Sequence, residues 1–201
     1  MKITKRSGFT LLELLLAATL LGIVAYKAHG AMKSASKSLS VETERAFVED
    51  QARQVINMIA FAIMGSNRDT LVPDEFAGTA QNTLTYQINL GIEDGAVVWS
   101  DPNRVAQDMD MSQVYWSQNP EAENERRVAW TNLVAPYMAG EIPNGMDDNG
   151  NGLIDEKGLA FSIQGNAVTI RLTLEKVQSD GSIIRDQVSR TVTCRNLGSD
   201  S

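Results

Sequence analysis

The chain has 201 residues, a formal net charge of −7 and one cysteine. That length holds one domain of ordinary size together with an anchor. The acidic balance excludes the basic footprint that nucleic-acid binding requires and that of a polybasic membrane-surface protein, and a lone cysteine, Cys194, excludes an intrachain disulfide.

The N-terminus opens with Lys2, Lys5 and Arg6, reaches Gly8, and runs into an apolar stretch over residues 9–26 whose one charge is Glu13. Without the three basic residues the charge of −7 becomes −10. The basic residues belong on the cytoplasmic side, and the apolar run is near the lower length limit for crossing a bilayer. A carboxylate near the bilayer centre costs about 2.5–3.5 kcal/mol on insertion scales, so Glu13 needs a use. A secretory signal would be cut after Ala28-His29-Gly30, where small residues precede Ala31. An uncleaved anchor is a second reading. Neither gives Glu13 a purpose.

The segment Lys5-Arg6-Ser7-Gly8-Phe9-Thr10-Leu11-Leu12-Glu13-Leu14 resembles the N-terminus of type IV prepilins and type II secretion pseudopilins. A basic leader ending in glycine, an aromatic first mature residue and an acid at the fifth mature position carry the resemblance. It implies a leader over residues 1–8, cleavage after Gly8 by a prepilin peptidase, and N-methylation of Phe9. Residues 9–30 become the transmembrane half of a long helix, and residues 31–201 a periplasmic domain on a single-pass inner-membrane protein. It also implies that Glu13 pairs with the Phe9 amine of a neighbouring subunit. Such a pairing would offset the buried charge and fix the stagger between subunits, as a lone polar residue fixes register in a coiled coil.

Helical patterning continues beyond the apolar run. Val48, Ala52, Val55, Ile59 and Ile63 recur at three- and four-residue steps, predicting a core-facing stripe that Gly65-Ser66-Asn67 stops. One helix over residues 9–64 would span about 84 Å at about 1.5 Å per residue. Gly22, Gly30 and the Ser-rich residues 34–40 are its weak points. His29 has no ligand partner near it and reads as a solvated juxtamembrane residue.

From Leu71 the period changes. Leu84, Tyr86, Ile88 and Leu90 alternate with polar residues as one half-buried strand, and residues 96–99 form a second. Residues 101–124 read as a long irregular loop with a helical turn at 112–116. Residues 127–136 hold another strand with Val128, Trp130 and Leu133. Val168, Ile170, Leu172 and Leu174 face one side of a strand, Ser179-Asp180-Gly181 turns, and the return strand carries Ile184, Val188, Val192 and Cys194 on one face. The expected fold is α+β and pilin-like, a long N-terminal helix packed on an antiparallel sheet.

The segment Asn144-Gly145-Met146-Asp147-Asp148-Asn149-Gly150-Asn151-Gly152-Leu153-Ile154-Asp155-Glu156 lies in a loop over residues 144–158. Side-chain oxygens at Asp147, Asn149, Asn151 and Asp155, glycine at 152 and isoleucine at 154 match the first nine positions of an EF-hand loop. The Leu153 carbonyl would fill position seven. Position twelve is Gly158, so the usual bidentate glutamate is missing, and Asp155, Glu156 or water must complete the shell. Pro143 before the loop and the strand-like residues 159–163 after it exclude flanking helices. Asp147, Asp148, Asp155 and Glu156 repel one another without a cation, and calcium favours such an oxygen set over soft ligands. The expected ion is a structural Ca2+, a use of calcium that pseudopilins also show; a plain Asn/Gly turn is the alternative.

With His29 at the membrane end, no Ser/Cys/His triad is possible, and no phosphate loop or dinucleotide fingerprint occurs, so no enzyme is expected. The run Val192-Thr193-Cys194-Arg195-Asn196 and the large acidic domain resemble a J-type minor pseudopilin of type II secretion, or a W-type minor pilin. The resemblance implies assembly with other minor and major pseudopilins or pilins, at or near the tip of a periplasmic filament. The contrasting expectation is a signal-anchored, secreted calcium-binding module. Replacing Gly8 with leucine is expected to block maturation, so that mass spectrometry of the purified chain finds the leader still attached; a wild-type N-terminus would refute the cleavage assignment.

Overall fold

The computed structural model describes residues 10–73 and 80–194. The predicted first residue of the helix, Phe9, lies outside them. Helix α1 runs over Leu11–Met64 without interruption, through Gly22, Gly30 and residues 34–40, so none of the expected weak points breaks it. By contacts the chain divides at Glu44 and Arg45 into two units. In the first unit, α1 exposes Leu11, Leu12, Leu14, Leu15, Leu16, Leu20, Leu21, Ile23 and Val24. The helix is long and apolar enough near its N-terminus to cross a membrane, and none of that window is buried in the protein.

In the second unit the predicted stripe becomes the helix's inner face: Val48, Ala52, Val55, Ile56, Ile59, Ala60 and Ile63 are all buried. The helix stops where glycine was expected to stop it. The Ser66 hydroxyl donates to the Ile63 carbonyl at 2.7 Å and satisfies one of the acceptors left open by the last turn.

Among the described residues nine strands follow, all in antiparallel pairs. β1 (Thr83–Tyr86), β4 (Asn103–Asp108), β5 (Gln113–Gln118) and β6 (Arg126–Thr131) form one sheet in the order β1-β4-β5-β6. β2 (Asn89–Glu93) and β3 (Ala96–Trp99) make a separate hairpin. β7 (Leu159–Gln164), β8 (Ala167–Val177) and β9 (Ile183–Thr193) form the third sheet, whose last two strands are the predicted hairpin. The helical stretch after Arg45 lies along this sheet. Lys176 sits over the Phe47 ring, Arg190 donates to Asn57 Oδ1, and Ser66 Oγ is 3.7 Å from Cys194 Sγ. Ile184, Val192 and Cys194 are buried on that face as the alternation predicted, and Cys194 is a small buried hydrophobe.

Two expectations are corrected. Residues 101–124 are not an irregular loop, and no helical turn occupies 112–116; they carry β4 and β5. The inward positions of β4 are Asn103, Val105 and Gln107, so amides stand where apolar residues would reveal a strand. Each amide is satisfied. Gln107 donates to the Ala135 carbonyl at 2.9 Å and accepts from Leu159 N–H at 2.8 Å; Asn103 donates to the Asp101 carbonyl at 2.9 Å. In β5 a register shift between Val114 and Tyr115 breaks the alternation.

Nor do residues 84–90 form one strand. Leu84 and Tyr86 are buried in β1, but the chain then leaves the sheet, and Leu90 is exposed in β2. The Ser100 hydroxyl accepts from Ile88 N–H, and Asn89 Oδ1 accepts from Gly91 N–H beside a register shift. The period of two persists in the sequence while the surface it faces changes.

The acidic loop has a fixed stem. Ala135 N–H donates to Thr173, Thr173 N–H to Gly158, Met138 N–H to Glu156 and Gly158 N–H to Pro136. A Cβ on Gly158 would lie 1.8 Å from the Ala135 carbonyl oxygen. Replacing Gly158 with alanine is therefore expected to destabilise the domain by about 3 kcal/mol, the upper end for overpacking, measured by urea unfolding of the full chain in detergent; an unchanged midpoint would refute the close approach.

Candidate functional site

Two groups of residues carry chemistry, one in each unit. In the first, Gly8 and Phe9, the expected cleavage and methylation positions, lie outside the described residues, and so does any contact between Glu13 and the Phe9 amine. Glu13 itself is described. Its Oε2 accepts from Thr10 N–H at 2.9 Å and from the Thr10 hydroxyl at 3.0 Å, while Thr10 Oγ1 accepts from Glu13 N–H at 3.3 Å. Thr10 directly precedes the first helical residue, Leu11. The pair is a capping box, in which two open donors of the helix start are satisfied reciprocally. The sequence signal was the Thr-x-x-Glu spacing, eclipsed by the search for a charged partner.

In the second unit the acidic loop folds around its own carboxylates. Asp147 Oδ1 accepts from Gly150 N–H at 2.7 Å and Asn151 N–H at 3.2 Å, and Oδ2 accepts from Gly152 N–H at 2.7 Å. These N–H groups, Gly152 foremost, hold the Asp147 carboxyl below its ordinary pKa against the opposing effect of burial. Asn149 Oδ1 accepts from Asn151 N–H at 3.1 Å, and Asn151 Oδ1 from Leu153 N–H at 2.9 Å. The glycines at 150 and 152 adopt φ of 75° and 87°, the left-handed conformation this winding requires.

Glu156 is fully buried. Its Oε2 accepts from Asn149 Nδ2 at 3.2 Å and from Asn151 Nδ2. Its Oε1 has no hydrogen-bond partner, with Arg171 Nη1 3.8 Å away. The structure thus brings Asp147, Asn149, Asn151 and Glu156 together. It turns Asp155 elsewhere: Oδ1 accepts from Asn144 N–H at 3.0 Å and Gly145 N–H at 3.1 Å, and Oδ2 from Gly145 N–H at 3.0 Å. Asp148 accepts from Asn144 Nδ2 and Ile142 N–H. Leu153 contributes its N–H to the winding.

One residue escaped the sequence reading. Glu141, six positions before Asp147, is 9% exposed. Its Oε1 accepts from Asn149 N–H at 3.2 Å, and its Oε2 is buried without a hydrogen-bond partner. Burial pushes its carboxyl above the ordinary value; Asn149 N–H opposes the shift, and the charges of Glu156, Asp147 and Asp148 add to it. No motif spacing marks Glu141, since it stands outside the loop pattern. Among the described residues no three His, Cys, Asp or Glu side chains converge closely enough to hold an ion as they stand; the amides of Asn149 and Asn151 occupy the space beside Glu156.

The prokaryotic N-terminal methylation motif matches residues 3–25. No curated protein and no solved structure matches the chain. The matched span contains Thr10 and Glu13 and enters the apolar part of α1, which antiparallel sheets follow. That motif, on one apolar N-terminal helix followed by antiparallel sheets, indicates a type IV pilin-like N-terminus.

Proposed function

We propose that the protein is a J-type minor pseudopilin of a type II secretion system. In this reading it is an inner-membrane subunit with a periplasmic domain, matured by a prepilin peptidase and joined through its N-terminal helix to other pseudopilins, at or near the tip of a periplasmic filament. Its role is structural. The observation that carries the reading is the methylation motif with Glu13 at the helix start, followed by an unburied apolar helical surface. Lipid-facing helices of this kind bury that surface against lipid or one another. The large acidic domain favours a minor subunit over a filament's major one.

Glu13→Leu is expected to leave cleavage after Gly8 intact while abolishing copurification with other minor pseudopilins from crosslinked membranes. Incorporation at wild-type levels would overturn the assembly role of Glu13.

The loop over residues 144–158 is assigned a structural calcium ion in the same reading. The buried oxygens Glu141 Oε2 and Glu156 Oε1, neither of them hydrogen-bonded, support it, because two carboxylates buried together are costly and the Arg171 guanidinium reaches Glu156 only at 3.8 Å. Asp147, Asn149, Asn151 and Glu156 fit as an oxygen donor set of the type calcium takes, whereas magnesium prefers a water-rich octahedral shell. Bound calcium would neutralise the loop and stabilise the folded state by mass action. Adding calcium to chelator-treated full chain is expected to raise the unfolding temperature by several degrees, on the order of 4 °C for about 1–2 kcal/mol of linkage. An unchanged unfolding temperature, measured by scanning calorimetry, would remove calcium from the reading.

A further inference from the structure

We propose that Glu141, from outside the sequence motif, is a calcium ligand alongside Asp147, Asn149, Asn151 and Glu156, and that Asp155 is a brace of the loop and not a ligand. The proposal rests on the calcium reading of the loop and replaces the ligand set that the EF-hand register implies.

The two acids differ in how their oxygens are used. Both Asp155 oxygens are committed to backbone N–H groups of Asn144 and Gly145, where they close the loop's first turn. Asp147 also accepts backbone N–H groups, but from residues 150–152 of the winding itself, whereas the partners of Asp155 lie ahead of the motif's first position and draw it away from the winding. Glu141 spends one oxygen on Asn149 N–H and keeps the other buried without a hydrogen bond. Glu156 shares Oε2 between two amide groups, and its Oε1 has no hydrogen bond, with the Arg171 guanidinium 3.8 Å away. Asn149 touches both acids, its backbone N–H on Glu141 and its side chain on Glu156. The two carboxylates therefore meet at Asn149.

The amide nitrogens of Asn149 and Asn151 point at Glu156, the direction from which a cation would compensate it. Each Oδ1 accepts one backbone N–H of the winding and keeps a second lone pair, so a partial turn of the broad terminal torsion brings oxygen toward an ion without giving up that N–H. The rotated amides with the carboxylates of Asp147, Glu141 and Glu156 give five oxygen-bearing side chains, and carboxylates that bind through both oxygens reach the six to eight ligands calcium takes. Glu141 in this set takes the place of the missing glutamate at the end of the motif. Gly158, which stands at that position, has no room for any side chain.

The test uses the full chain in detergent, stripped with chelator, with calcium binding followed by calorimetry and terbium luminescence as a second probe. Wild type is expected to bind both ions. Glu141→Gln should weaken calcium at least about tenfold, since affinity follows the count of charged ligands. Glu141→Asp should bind more tightly than Glu141→Gln, which separates a lost ligand from a damaged fold. Asp155→Asn should retain affinity close to wild type while amide hydrogen exchange at Asn144 and Gly145 speeds up. Wild-type affinity in Glu141→Gln, with loss in Asp155→Asn, would overturn the proposal and restore the motif's own ligand set. No binding by wild type would overturn the calcium reading itself.

Discussion

The close approach of Gly158 to the Ala135 carbonyl is the constraint on which the acidic loop depends. The two ends of the loop meet there, and each is also tied to Thr173 in the middle of β8. Gln107 adds a third attachment, since its amide reaches both Ala135 and the first residue of β7. The four-stranded sheet, the three-stranded sheet and the loop stem are thereby joined through backbone groups that cannot move independently. The 22 residues of polar, glycine-rich chain between Ala135 and Gly158 would otherwise have little reason to adopt one conformation. The stem converts them into a bounded ring whose carboxylates face one another.

That arrangement places two carboxylates together, with the Arg171 guanidinium 3.8 Å from Glu156 as a loose counter-charge. Glu156 follows from the stem, because Met138 pairs with its carbonyl and leaves its side chain in the interior. Glu141 follows from the tight turn after Met138, whose carbonyl accepts from Glu141 N–H. The asparagines between them satisfy half of the exposed demand with neutral donors. The remaining oxygens, Glu141 Oε2 and Glu156 Oε1, are buried without a hydrogen bond, and the proposed calcium ion rests on them.

Much of the fold was legible in the sequence wherever an apolar residue marked each inward position. The stripe from Val48 to Ile63 and the alternation from Val168 to Leu174 led directly to α1 and β8. The reading failed where amides did the same inward work. Asn103 and Gln107 are buried strand residues whose partners are carbonyl groups far along the chain, and no local pattern discloses a partner 28 or 52 residues away. Glu141 was hidden for another reason: it stands six positions ahead of Asp147, outside the Asp-x-Asn-x-Asn-Gly spacing, whereas Asp155 falls within that pattern and accepts from the Asn144 and Gly145 N–H groups. Loop chemistry was visible in type; the choice between neighbouring acids depended on where the stem held them.

Thr10 changes what it means for Glu13 to find a partner. A bare carboxylate in a lipid-facing helix would seize the first cation offered. A carboxylate already held by a backbone N–H and a hydroxyl exchanges one set of hydrogen bonds for another. The driving force for that exchange is the difference between the two sets, much smaller than the cost of an unsolvated charge. Under the proposed assembly role, a subunit waiting in the membrane would be at rest, and a docking that claims Glu13 would stay close enough to balance to be undone.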